Sequence, residues 1–259
     1  MYYFYFFIQM DPQSRQYTYI HDQRVLPPGT RATTHCGINQ LGPVRLALGR
    51  YNMLQSFLSS PLGHFLQIPL SLQMSAPQLI YQVLLREVTF PETREDEMWF
   101  EISGELYRYD KQEFILISGL RFGPINKKSL EARPVGDDSL RTRLFPHQNL
   151  VSGQDINAVL TRENLAADDV LKLGYIAVVN MILLGHDERK NVPDMLWNMI
   201  EDLEAFQAFP WGTYIYSQSL YFLRLATKVD KRSGKIGKKV NIYGFVWAFQ
   251  VHSVTYYSI

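Results

Sequence analysis

Three scarcities narrow what this chain can be. It carries one cysteine, Cys36, in 259 residues. That excludes an intramolecular disulfide and a cysteine-cluster zinc site, and it points to a reducing intracellular compartment. It carries almost no net charge, because 26 basic against 25 acidic residues leave +1. No global field therefore draws it to nucleic acid or to an anionic membrane. It also lacks an apolar run near the ~20 residues that span a bilayer. The aromatic start MYYFYFFIQ, residues 1–9, is too short to span and lacks the basic region and cleavage site of a secretory signal. Repeats and low-complexity tracts are absent as well. What the chain has is apolar bulk, with 46% hydrophobic and 14% aromatic residues. That is the reverse of a disordered composition and enough for one or two domains.

Residues 1–50 read as a mostly irregular leader with PPG at 27–29, and Met10, ahead of the polar DPQSRQ, reads as a truer start than Met1. From Tyr51 the pattern turns periodic. Leu54, Phe57, Leu58 and Leu62 suggest a short helix interrupted by Pro61, and Leu79, Ile80, Val83, Leu84 and Val88 predict an amphipathic helix over 76–88. EMWFEI (97–102), the SGE turn (103–105) and LYRY (106–109) predict a β-hairpin. Asp110 and Glu113 form a capping-box pair for the helix that follows, with Phe114, Ile117 and either Ile115 or Leu116 on its buried face and Gly119 at its end.

Residues 123–147 read as a loop, after which Ser152 and Asp155 cap a short helix. Asp168 and Asp169 open a nearly all-apolar helix that runs to Gly185 and is expected at the centre of the core. A single helix is predicted over 194–209 and another over 213–229, the latter with Tyr216, Leu220 and Leu223 on one face. An isolated hairpin is marginal in water, so it must pack on these helices. The expected fold is α+β and mainly α-helical, with one β-hairpin (about 97–109) packed among helices.

The order of several short motifs resembles a known family. They are GHFL (63–66), LLREV (84–88), DEMWF (96–100), LISGL (116–120) and FGP (122–124), then LLG (183–185), MIEDLEAF (199–206), FPWG (209–212) and YGF (243–245) with WAFQV (247–251). Together they resemble a plant-specific domain of unknown function that precedes SUMO-protease-like cysteine peptidase domains in proteins derived from Mutator-like transposons. The likeness covers about 51–251, and a fainter one is to the plant mobile domain. The resemblance implies a helix over 242–251, where propensity alone allows a strand. The tail 252–259, HSVTYYSI, diverges from the family's usual continuation, and no peptidase domain follows. The chain therefore reads as a truncated product.

A peptidase of that type needs a histidine, an acid and a cysteine in that chain order. Cys36 precedes His64, His147, His186 and His252, and follows only His21 and His35. It reads as a free thiol in the leader, and the chain is expected not to be an enzyme. No histidine pair has metal-ligand spacing, so no metal and no cofactor are expected. RSGKIGKK places two residues between Gly234 and Gly237-Lys238, where a phosphate loop needs four. His64 and His186 read as structural, the latter near the negative end of the preceding helix. Glu95, Asp96 and Glu97 read as a solvated hairpin entrance. The aromatic group Phe209, Trp211, Tyr214 and Tyr216 reads as a buried corner against Trp197.

One segment departs from the chain's neutrality. Arg224, Lys228, Lys231, Arg232, Lys235, Lys238 and Lys239, against Asp230 alone, give a net +6 over residues 224–239. These residues are candidates for nucleic-acid contact or nuclear import. An acidic counterpart at 187–204 holds six acids and two bases. The expected function is a non-catalytic interaction or targeting domain, nuclear in location. Its implied partner is the SUMO-protease-like peptidase domain or that enzyme's substrate, with no membrane partner. The alternative is a nucleic-acid-binding module using 224–239.

Overall fold

The computed structural model describes residues 16–22, 28–69, 76–131, 136, 138–228 and 237–250. The expectations for 1–9 and 252–259, and those for Lys231, Arg232 and Lys235, lie outside the described residues. The fold is α+β and mainly helical, as the sequence predicts.

The hairpin forms as strands β4 (Met98–Ile102) and β5 (Glu105–Tyr109). Ser103 and Gly104 both adopt positive φ, 55° and 87°, the backbone that a two-residue turn needs to match strand twist. Two more strands extend it. They are β3 (Glu87–Thr89) and the short β1 (Thr18–Tyr19), giving an antiparallel sheet in the order β1-β3-β4-β5. Period-two alternation sorts its faces. Met98, Phe100, Ile102 and Tyr109 join the main core, while Trp99 and Leu106 meet Val88 and Phe90 in a smaller cluster on the other side.

β3 corrects the helix expected over 76–88. Helix α3 (Pro77–Leu84) stops four residues early, and Val88 pairs with Trp99 in the sheet instead. Apolar residues at 80, 83 and 84 suit a helix, but Glu87-Val88-Thr89 gains more by completing a sheet face that Trp99 leaves open.

The leader expected over 1–50 is also corrected for its described part. Strand β2 (Arg31–Thr34) pairs in parallel with β6 (Lys239–Ile242), a second sheet joining the two ends of the described chain. Helix α1 (Gly42–Arg50) buries Val44, Ala47 and Leu48, and a 3₁₀ turn before it buries Ile38 and Leu41. Cys36 sits in this packed region, 3% exposed, and its Sγ donates to the Ile182 carbonyl at 2.9 Å. It is a core residue and not a thiol in a loose arm.

The central helix forms as expected. α7 (Ala167–Ala177) continues into a π-helical turn, Val178–Leu183, in which every residue is fully buried. Gly185, at φ 59°, ends it where an added Cβ would lie 2.5 Å from the Gly244 carbonyl oxygen. His186 follows, buried, with Nδ1 2.9 Å from Asn180 Oδ1. Burial, aided by Lys190, pushes its imidazole down to about 4. It is thus neutral at pH 7, held by a hydrogen bond and not by charge against the helix end.

Three further helices precede or surround that centre: α2 (Leu54–Leu58), α5 (Leu140–Leu144) and α6 (Gly153–Leu160), the last capped by the Ser152–Asp155 box. The single helix expected over 194–209 is instead α8 (Asp194–Met199) and α9 (Leu203–Ala208). The break has two causes. Glu201 turns away to accept from the Leu140 N–H at 2.7 Å, and Asp202 caps a fresh helix by accepting from Ala205 N–H at 2.9 Å. Leu196, Ile200 and Phe206 still reach the core across it.

Trp211 packs on Phe206 and Phe209, whereas the expected contact partner Trp197 packs on Phe145. Residues 246–250 are helical and buried, as the resemblance implies.

Candidate functional site

Helix α4 (Lys111–Ser118) follows the hairpin directly. Asp110 accepts from Gln112 N–H at 2.6 Å, Glu113 accepts from Asp110 N–H at 2.9 Å, and Gly119 closes the helix at φ 63°. The box also gathers charge. Arg108 lies 3.3 Å from Asp110 and 3.8 Å from Glu113, and Arg94 lies 3.4 Å from Asp110. Burial, together with Asp110 beside it, pushes the Glu113 carboxyl up to about 7. Burial also opposes ionisation of Asp110, but the hydrogen bonds from Glu113 and Gln112 and the charge of Arg108 bring its carboxyl below the ordinary value.

Phe114 is fully buried, and Ile117 is half-buried. Ile115 and Leu116, one of which was expected on the buried face, are both exposed, at 39% and 63%. At 100° per residue they point away from the face that Phe114 fixes.

The longest helix, α10 (Trp211–Ala226), packs beside α4. Its inner face, with Tyr216, Leu220 and Leu223 buried, is the predicted one. A second apolar edge was missed: Tyr221 is 59% exposed and Leu225 43%. Ile115, Leu116, Tyr221 and Leu225 make up four of the seven large hydrophobic residues exposed among the described residues.

Ile115, Tyr221 and Leu225, but not Leu116, line a groove of about 900 Å³. α10 supplies Tyr216, Leu220, Tyr221 and Leu225, α4 supplies Ile115, and the loop after α4 supplies Phe122. The loop is tied to α10 by Gly123 N–H donating to Thr213 Oγ1 at 3.0 Å and by Gly212 N–H donating to the Arg121 carbonyl at 2.8 Å. The Tyr216 hydroxyl donates to the Asp96 carbonyl at 2.5 Å, and burial raises its pKa far above the ordinary value. It is fixed structure and not an acid or base.

Charges rim this apolar floor. Arg224 is engaged: it donates to the Glu95 and Glu97 carbonyls at 2.8 and 2.7 Å and lies 4.0 Å from Glu87. Asp96 is held by Arg94 at 3.1 Å. Glu97, expected in a solvated entrance, is buried, accepting from Trp99 Nε1–H at 3.0 Å and paired with Arg94 at 2.9 Å. Lys111 and Lys228 have no ion-pair partner among the described residues. Beyond Leu225 and Lys228 a second depression of about 400 Å³ carries Lys239. Of the seven basic candidates, then, the structure gathers Arg224, Lys228 and Lys239 at one end of α10, with Lys238 exposed beside Lys239.

The remaining chemical candidates do not converge on this groove. Cys36 is inside the core, where burial raises its pKa far above the ordinary value. His64, in a 3₁₀ turn, places Nε2 2.8 Å from the Ser118 carbonyl at the end of α4. Among the described residues no group of three or more His, Cys, Asp or Glu side chains can hold a metal ion. No helix among them is long and apolar enough to cross a membrane.

The family described as Domain of unknown function (DUF1985) matches residues 84–220, just over half of the chain. The chain belongs to this family. The DUF1985 match starts at the end of α3 and runs through the hairpin, α4 and the central helix to Leu220 of α10. It therefore includes most of the groove, while Tyr221, Arg224, Leu225 and Lys228 follow directly after it. No curated protein and no solved structure matches the chain.

Proposed function

We propose that this chain is a non-catalytic interaction domain that holds a partner protein across α4 and α10. The observation that carries it is the concentration of exposed apolar side chains, Ile115, Tyr221 and Leu225, along one groove. Monomeric surfaces scatter such residues, and a rimmed apolar patch marks an interaction site. The burial of Cys36 supports the non-catalytic reading, since a nucleophilic thiol needs access and an ionising neighbour. The resemblance to domains preceding SUMO-protease-like peptidases in transposon-derived plant proteins supports a peptidase domain, or its substrate, as the partner, and a nuclear setting.

Selection of peptides from a displayed library on the wild-type chain, with counter-selection on a Tyr221→Glu/Leu225→Glu variant, tests this reading. Sequences enriched on the first and lost on the second are expected. Absence of any groove-dependent sequence would overturn it.

A nucleic-acid interface is the second reading, favoured by the exposed Lys228, Lys238 and Lys239. It loses Arg224, whose guanidinium is engaged by the hairpin entrance. Titration of duplex DNA against salt tests it, each neutralised phosphate contributing about −0.9 to the log-log slope. A flat slope ends this reading.

A further inference from the structure

The geometry points to an amphipathic helix with an acidic outer face as the occupant of the α4–α10 groove. This inference rests on the interaction-domain reading and specifies its partner.

The first argument is shape. Thr213, Ser217, Tyr221 and Leu225 recur every four residues along α10, with Tyr216 and Leu220 between them as the floor. From Thr213 to Leu225 the axis rises about 18 Å, just over three helical turns. α4, with Ile115, and the Phe122 loop make the opposite wall. Two helices with an open apolar seam leave the place of a third. A helix laid there meets the seam with residues spaced i, i+3/i+4, i+7. An extended strand has no ladder to join, because the walls are helices whose backbone groups are already paired.

The second argument is charge. The floor is apolar, and the rim is where a partner's polar face emerges. Asp96 is paired with Arg94, and Arg224 is engaged by carbonyls and by Glu87. Among the described residues the rim charges without an ion-pair partner are Lys111 on one wall and Lys228 at the far end, against Glu95. Lys239 continues the positive end just past Leu225. A helix bearing acids beside its apolar stripe satisfies these lysines, and a basic one leaves them opposed. A duplex gains nothing from the apolar floor.

The test uses the full chain and three fluorescein-labelled peptides of about 18 residues, each with leucine at i, i+3, i+4 and i+7 positions. One carries glutamate elsewhere, one lysine, and one is the glutamate peptide with a central proline. By fluorescence anisotropy, saturable binding of the glutamate peptide is expected, at least about tenfold tighter than that of either other peptide. Tyr221→Glu and Leu225→Glu, both at exposed positions, are expected to abolish it. Lys111→Glu and Lys228→Glu are each expected to weaken it about threefold while strengthening the lysine peptide, with circular dichroism and Tm unchanged.

Equal or tighter binding of the lysine peptide, indifference to the proline, or indifference to Leu225→Glu would overturn the inference. So would displacement of the peptide by duplex DNA, or a self-association lost in Leu225→Glu that shows a second copy in the groove. Groove-dependent capture of basic or extended library peptides sinks this inference alone. Absence of any groove-dependent peptide sinks the interaction-domain reading with it.

Discussion

Gly212→Ala tests how the groove is built. Gly212 lies in the first turn of α10, where an added Cβ would stand 2.5 Å from Phe122 Cε2 and 2.7 Å from the Arg121 carbonyl oxygen. Helix propensity alone favours alanine by at most about 1 kcal/mol. The contacts oppose it. The Phe122 ring can turn, but the carbonyl cannot easily retreat, because it accepts from the Gly212 N–H and the next residues are pinned to Thr213. Overpacking costs about 1–3 kcal/mol, and loss of that hydrogen bond about 1 more. The net expectation is a destabilisation of about 2 kcal/mol, read as a lowered urea midpoint at unchanged m-value. Because Phe122 forms the groove wall, the variant should also bind the glutamate peptide more weakly at temperatures where it remains folded. A neutral or stabilised variant would refute the close approach of the 121–123 loop to α10, and with it the wall opposite Tyr221.

Other expectations follow from the charge sites and the core. Glu113 binds its proton more tightly folded, at about 7 against an ordinary 4.5, so its contribution is complete below about pH 4.5 and lost as pH rises through about 7; Glu113→Gln, which keeps the capping acceptor, should flatten that limb in urea midpoints measured across pH. His186 acts in the opposite sense. Its contribution is present above the ordinary 6.5 and lost as pH falls towards about 4, and His186→Gln should remove that acid-side loss. Asp169 is buried against Arg143 in two hydrogen bonds of 2.8 and 2.9 Å, while Arg143 is 43% exposed. Arg143→Ala, which strands the buried carboxylate, should therefore cost about 3 kcal/mol in chemical denaturation and Asp169→Ala about half as much; equal costs would contradict the asymmetry. Cys36 should react with a thiol reagent only as fast as the core opens, so labelling in native buffer should be slow and should accelerate in variants that unfold more readily.

Local chemistry made much of the fold legible. Ser103-Gly104, the Asp110–Glu113 box, the Ser152–Asp155 box and the all-apolar run before Gly185 each carry their own instruction, and each element stands where that instruction puts it. The sequence failed where a distant partner decided. Val88 reads as the last turn of a helix until Trp99 offers it a sheet, and 194–209 reads as one helix until Glu201 is taken by Leu140. The segment before Tyr51 has weak periodicity, yet β6, from the other end of the described chain, gives β2 a partner.

The groove was harder to see for a related reason. Exposure of Ile115, Tyr221 and Leu225 is a property of how α4 and α10 are set side by side. The one available signal was that α10 carries apolar residues at 221 and 225 as well as at 216, 220 and 223, more than one buried face requires. The basic segment, conspicuous in sequence, proved divided. Arg224 braces the hairpin entrance, while Lys228 and Lys239 border the groove's end.

The claim that α4 and α10 together form the partner-binding surface is tested most directly by amide hydrogen exchange of the full chain with and without saturating glutamate peptide. Slowed exchange confined to 111–123 and 211–228 is the predicted result. Slowed exchange elsewhere, with those two segments unchanged, would contradict it.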